Sequence, residues 1–234
     1  MLKKVLVASV VGALLSLSAQ AEDIKVLGAA SLKYVLEEIK SDFLKDKPED
    51  KIEISYISSG KAYAQIKNGA PVHLFVAADV GYPAKLYEEK LAPNKEEIYA
   101  KGKLVLWSND ANFKIQEFKD ILNPKITHIA IPNPKVAPYG RASVEALSTT
   151  KMLTQVESKN AEVGFTALSM LGESGINTPT MSYVAIDESL YKPINQALIV
   201  PNYGKDSKLA SDFKAYILSD KAKEKFLKFG YSVE

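Results

Sequence analysis

Three short stretches of this sequence join small hydroxyl side chains to what reads as the start of a helix. They are Ala29-Ala30-Ser31-Leu32, Ser58-Ser59-Gly60-Lys61 and Leu147-Ser148-Thr149-Thr150-Lys151. A hydroxyl at such a place can cap the first backbone N–H groups, which have no intrahelical acceptor. The same N–H groups, at the positive end of the helix dipole, also make a site for an oxyanion. Three helix starts converging on one cleft would offer enough neutral donors to replace water around a tetrahedral dianion. Taken singly, each is an ordinary N-cap. Ser31 and Ser59 are the stronger candidates because each also follows a strand end, and Gly60 lets the backbone approach closely.

Other chemistry finds little support. Ser58 and Lys61 fit S-x-x-K, the nucleophile motif of penicillin-recognising enzymes, but Ser108-Asn109-Asp110 is not S-D-N and no K-T-G occurs. A Ser-Lys hydrolase is therefore a minor alternative, and no catalytic residue is assigned. The two histidines, His73 and His128, each sit inside an apolar strand pattern with no second His or carboxylate at ligand spacing, which argues against a metal centre or a triad. With no cysteine in the chain, no disulfide staples the fold and no thiol can react.

The elements that must position these residues alternate strand and helix, the pattern of an α/β fold. Strands are expected at Ile24–Ala29, Ile52–Ile57 and Val72–Ala77, with helices from Leu32 to Leu44, Ala62 to Lys67 and Gly81 to Glu89. The middle of the chain predicts strands at Lys103–Trp107, Ile126–Ile131, Glu162–Thr166 and Ser182–Ala185. Helices are expected there at Ile115–Leu122, Arg141–Leu147 and Lys151–Ser158. Gln196–Val200 reads as a returning strand and Ser207–Phe229 as a helical C-terminus. Strand signals adjoin Gly or Pro around Tyr99–Lys103 and Val200–Gly204, the expected crossings of a two-segment hinge. That gives one lobe of residues 22–100 plus 203–234 and a second of 101–202, with a ligand cleft between them.

The first 21 residues read as an export signal. Lys3 and Lys4 precede the apolar run Val5–Leu17, and Ala19-Gln20-Ala21 is an A-x-A cleavage site. The run is shorter than the roughly 20 apolar residues that span a bilayer. Export to the periplasm with cleavage after Ala21 is expected. Of the chain's 30 basic and 28 acidic side chains, Lys3 and Lys4 would leave with the signal, so the mature protein carries no net charge. That disfavours capture of nucleic acid or a membrane surface by bulk electrostatics. Any anion selectivity must come from local geometry.

With these motifs in hand, the chain resembles the periplasmic molybdate-binding proteins of molybdate ABC transporters. The resemblance runs from Ile24 to Tyr231. It rests on A-A-S-L at Ala29–Leu32, S-S-G at Ser58–Gly60 and G-A-P-x-x-x-F-x-A-A-D at Gly69–Asp79. It continues through A-P-Y-G at Ala137–Gly140 and V-G-F-T-A-L-S at Val163–Ser169. It implies a type II periplasmic binding protein with two hinged lobes. The ligand would be molybdate, and tungstate with it; no cofactor is involved. The partner would be the membrane permease of an ABC transporter, served by a monomer.

By the same resemblance the oxyanion is held without counter-charge. Ser31 and Ser59 would each supply a hydroxyl, Ala78 a backbone N–H, and Thr149 another as the residue opening the later helix. Tyr139 of A-P-Y-G would supply the phenol, which other members place where this chain has Ala167. Two departures stand out. His73 replaces the family's usual Asp and is expected to change a lobe-surface or core contact. Only eight residues separate Leu147 from Val156, fewer than the family carries, so the second lobe is shortened. A scaffold with weakened anion binding, serving as a sensor, is the alternative that this shortening suggests.

Overall fold

The computed structural model describes residues 21–150, 152, 161–171 and 177–233. All of the export signal but Ala21, and all of the expected helix Lys151–Ser158 but Met152, lie outside them.

Two sheets make up the fold. The first is built from β1 (Asp23–Ala29), β2 (Lys51–Ile57), β3 (Leu74–Val76), β4 (Glu97–Gly102) and β9 (Ile194–Ile199), in the order β2-β1-β3-β9-β4. The second holds β5 (Leu104–Ser108), β6 (Ile129–Ala130), β7 (Val163–Ala167) and β8 (Ser182–Ala185), in the order β6-β7-β5-β8. β1 pairs in parallel with both β2 and β3, whereas β9 runs antiparallel to β3 and β4. Parallel neighbours need crossover helices, and those helices begin at strand ends that share one edge of the sheet. α1 (Lys33–Phe43) follows β1, α2 (Ser59–Lys67) follows β2 and α3 (Gly81–Glu88) follows β3.

α1 shows how sequence sets packing. Val35, Leu36, Ile39 and Phe43 fall on one face at helical spacing and are buried, while Lys33 and Glu37 stay toward solvent. On that face Phe43 meets the rings of Phe213 and Tyr216 at centroid separations of 5.2 and 5.3 Å. Both belong to α5 (Lys208–Ile217), which together with α6 (Asp220–Lys228) covers the first sheet. In the second lobe α4 (Pro138–Thr149) buries Ala142, Ala146 and Leu147.

Four expectations need correction. The strand near Gln196 belongs to the first sheet, not to the second lobe: β9 is hydrogen-bonded on both sides, to β3 and β4, so the chain returns by Ile194 rather than at 203. Outward passage occurs at Lys103, between Gly102 of β4 and Leu104 of β5. Ile115–Leu122 is not an α-helix. The Asp120 carboxylate accepts from the N–H groups of Gln116 and Glu117 and draws Phe118–Leu122 into a short 3-10 turn. The C-terminal helix is two helices, because Ser219 is extended and its hydroxyl accepts from Ala222 N–H, starting α6 anew. The helix expected from Arg141 begins three residues earlier, at Pro138, and runs on through Thr149.

Candidate functional site

Two elements of the first lobe end against the cleft. β1 stops at Ala29, and the chain turns through a 3-10 turn, Ala30–Leu32, into α1. β2 stops at Ile57, and the extended Ser58 leads into α2 at Ser59. From the second lobe comes the start of α4, where Pro138 occupies a first-turn position that needs no N–H, and Tyr139 follows it. The 3-10 turn Leu168–Met170, after Ala167 of β7, completes the surround. At all four starts the preceding residue is extended and no side chain caps the free N–H groups.

Between these starts lies a cavity of about 160 Å³, lined by Ser31, Ser58, Ser59, Ala78, Tyr139 and Thr166 together with small apolar residues and Met170. Among the described residues no charged side chain lines it. The hydroxyls of Ser31 and Ser58 are buried and have no hydrogen-bond partner among the described residues. A buried polar group without a partner costs about 1–3 kcal/mol, so both hydroxyls are available to a polar occupant of the cavity. Ser59 is fully buried, and its Oγ accepts from Ala78 N–H at 3.0 Å, which leaves the hydroxyl's own proton free. Tyr139 is buried; its phenol oxygen accepts from Gln196 Nε2 at 2.9 Å. Burial, with Tyr231 nearby, pushes the Tyr139 phenol well above its ordinary range, so it stays protonated and can donate.

The lobes touch across this cavity. Gly60 N–H donates to Val136 O at 3.0 Å, and Tyr82 Oη donates to Lys135 O at 3.2 Å. Tyr231 Oη donates to Ser169 Oγ at 2.9 Å, which donates in turn to Ser31 O at 2.8 Å. Arg141 of α4 pairs with Asp79, just after β3. Burial raises the Asp79 carboxyl above the usual carboxylate range, and the Arg141 charge pulls against it.

Ser31, Ser59, Ala78 and Tyr139 thus come together, and Thr149 does not. Thr149 is the last residue of α4, and its hydroxyl donates to Leu190 O at 3.3 Å. A helix C-terminus presents carbonyls and the negative end of the dipole, the wrong pole for an anion. The second lobe reaches the cavity instead through the opposite end of the same helix. Ala78 lines the cavity, but its N–H is spent on Ser59 Oγ, so it orients the serine rather than offering a free donor.

His73 precedes β3. Its Nδ1 accepts from Lys25 N–H at 3.0 Å, a lobe-surface contact well away from the cavity lining. Ser58, part of the second hydroxyl stretch but singled out from sequence only for its fit to S-x-x-K, lines the cavity; Lys61 is exposed and not bonded to the unpartnered Ser58 Oγ. Pro138 one residue before Tyr139 was the available signal for the helix start on the second lobe.

Residues 24–232 match the family described as bacterial extracellular solute-binding proteins. The chain is 33% identical to the molybdate-binding protein ModA of Azotobacter vinelandii, covering 98% of this chain and 97% of that one. It is 32% identical to ModA of Rhodobacter capsulatus, over 94% of this chain and 92% of the relative. The solved structure of the Azotobacter vinelandii periplasmic molybdate-binding protein superposes with a TM-score of 0.81 at 30% identity, over 90% of this chain and 99% of that one. These relatives are substrate-binding proteins, not enzymes. The chain belongs to the bacterial extracellular solute-binding proteins, and within them to the molybdate-binding proteins of ABC transporters.

Proposed function

We propose that this protein captures molybdate, and tungstate with it, in the periplasm and delivers it as a monomer to the permease of an ABC transporter. The observation that carries this reading is a cavity between two touching lobes that, among the described residues, has no charged lining side chain and holds the buried, unpartnered hydroxyls of Ser31 and Ser58. With Ser59, Tyr139 and the uncapped helix starts, they form a set of neutral donors suited to a fully deprotonated dianion. Periplasmic placement is supported by the leader sequence and by the relatives. Among the described residues no helix is long and apolar enough to cross a membrane.

Selectivity follows from bond length and protonation. Sulfate has the charge and shape of molybdate but shorter bonds, so donors placed for the larger anion sit too far from its oxygens. Hydrogen phosphate brings a proton of its own, and a hydroxyl that turns its lone pair to accept that proton no longer donates to the same ligand oxygen. Isothermal titration of residues 22–234 with molybdate, tungstate, sulfate and phosphate tests the reading. Saturable binding of the two metal oxyanions with much weaker sulfate and phosphate is the expected result. Absence of saturable binding by either metal oxyanion overturns it.

A further inference from the structure

Gln196 is a wholly buried polar residue in the middle of β9, outside the cavity lining, yet it touches one of the cavity's donors. Its Nε2 donates to Tyr139 Oη at 2.9 Å, and its Oε1 accepts from Tyr99 Oη at 2.8 Å. Tyr99 has one proton and two acceptors, because Ala77 O also lies at 2.8 Å. A Cβ on Gly102 would overlap both Tyr139 Oη and Gln196 Nε2, so only glycine at this hinge position lets the pair meet.

The consequence lies in proton direction. When Tyr99 donates to Gln196 Oε1, the amide presents Nε2 to Tyr139, and the phenol's single proton is left for the cavity. When Tyr99 donates to Ala77 O, the turned-over amide is favoured. Its Oε1 then takes the Tyr139 proton, and the cavity faces a lone pair. The first arrangement suits a bare dianion, the second an oxyanion that carries a proton.

Resting on the oxyanion-binding reading above, we infer that Gln196 is a positioning residue: through its bonds to Tyr99 and Tyr139 it aims the Tyr139 proton into the cavity and so discriminates bare from protonated oxyanions. Gln196 touches no ligand itself and acts only through Tyr139.

The test is titration of molybdate and phosphate into the wild type, Gln196→Leu, Tyr139→Phe and the double variant, with circular dichroism melts to verify folding. Gln196→Leu should weaken molybdate about tenfold, the scale of one orienting hydrogen bond, and narrow the gap to phosphate. In the Tyr139→Phe background it should change affinity no further. Should Gln196→Leu fail to fold, Tyr99→Phe, which alters no cavity-lining residue, must produce the same narrowing from the far end of the chain of bonds. Wild-type affinity and selectivity in the folded variant, or an equal loss with and without the Tyr139 hydroxyl, overturns the inference and leaves the functional reading standing. A wild type that binds neither metal oxyanion overturns both.

Discussion

The backbone N–H of Ala78 donates to Ser59 Oγ across 3.0 Å, whereas the hydroxyl of Ser31, facing the same cavity, has no partner among the described residues. Two serines that look alike in sequence therefore do different work. Ser59 helps to close the fold and lines the cavity; Ser31 lines the cavity without such a bond.

This difference predicts a split. Ser31→Ala should weaken molybdate binding by about 1.5–3 kcal/mol, the scale of a hydrogen bond to a charged partner, while leaving the melting temperature unchanged or slightly raised. Ser59→Ala should weaken binding similarly and also destabilise the empty protein by about 1–3 kcal/mol, because it leaves the buried Ala78 N–H unpaired. Titration calorimetry paired with thermal melts checks both. Equal melting behaviour in the two variants would contradict the assigned roles.

Arg141 and Asp79 join α4 to the end of β3 across the cleft, with Arg141 also 5.5 Å from the Tyr82 ring centroid. Removing the arginine leaves a mostly buried carboxylate without its cation, next in the chain to Ala78 of the cavity lining. Arg141→Ala should weaken molybdate by about 1–2 kcal/mol, a modest figure because the arginine is partly exposed. Most of the loss should appear as faster release, and Asp79→Asn in the same background should recover part of it. Stopped-flow dissociation rates provide the measurement.

Gly60 sets how closely the lobes approach. A Cβ there would lie 2.6 Å from Tyr82 Oη and 3.0 Å from the Val136 Cα. The tyrosine can swing aside, but the backbone of Val136 cannot without parting the lobes. Gly60→Ala is expected to bind molybdate at least tenfold more weakly and to keep a larger radius of gyration at saturating ligand. Small-angle scattering with and without molybdate would reveal a variant that closes normally, and that outcome refutes the role.

His73 makes stability depend on pH in a definite direction. Burial lowers its affinity for a proton, and Nδ1 can accept from Lys25 N–H only while it is unprotonated. A group whose folded pKa lies below its unfolded value contributes stability that is complete above the unfolded value, about 6.5 for histidine, and lost as pH falls through the folded one. Denaturant unfolding between pH 7.5 and 5 should therefore show a steeper loss for the wild type than for His73→Asn. Parallel curves would rule the linkage out.

Much of this protein was legible in one dimension. Strand-helix alternation through Glu89, with its apolar periodicity, determined the α/β class and the first lobe, since 2.0- and 3.6-residue repeats leave little freedom in which face is buried. A hydroxyl after a strand end marked Ser31 and Ser59 as candidates, and the family resemblance at A-P-Y-G marked Tyr139. What tertiary structure alone decided is pairing between segments distant in the chain. β9 returned to the first sheet because its hydrogen-bonding edges matched β3 and β4, a choice no local pattern encodes. Thr149 left the site because α4 began at Pro138 and carried it to the wrong pole of the helix. Ala78 and Ser59 satisfied each other, and Gln196, an unremarkable residue in a strand, met Tyr139 because two lobes fold together at Gly102. Local chemistry is written in neighbours along the chain; the direction of each proton in the cavity depends on partners that only folding supplies.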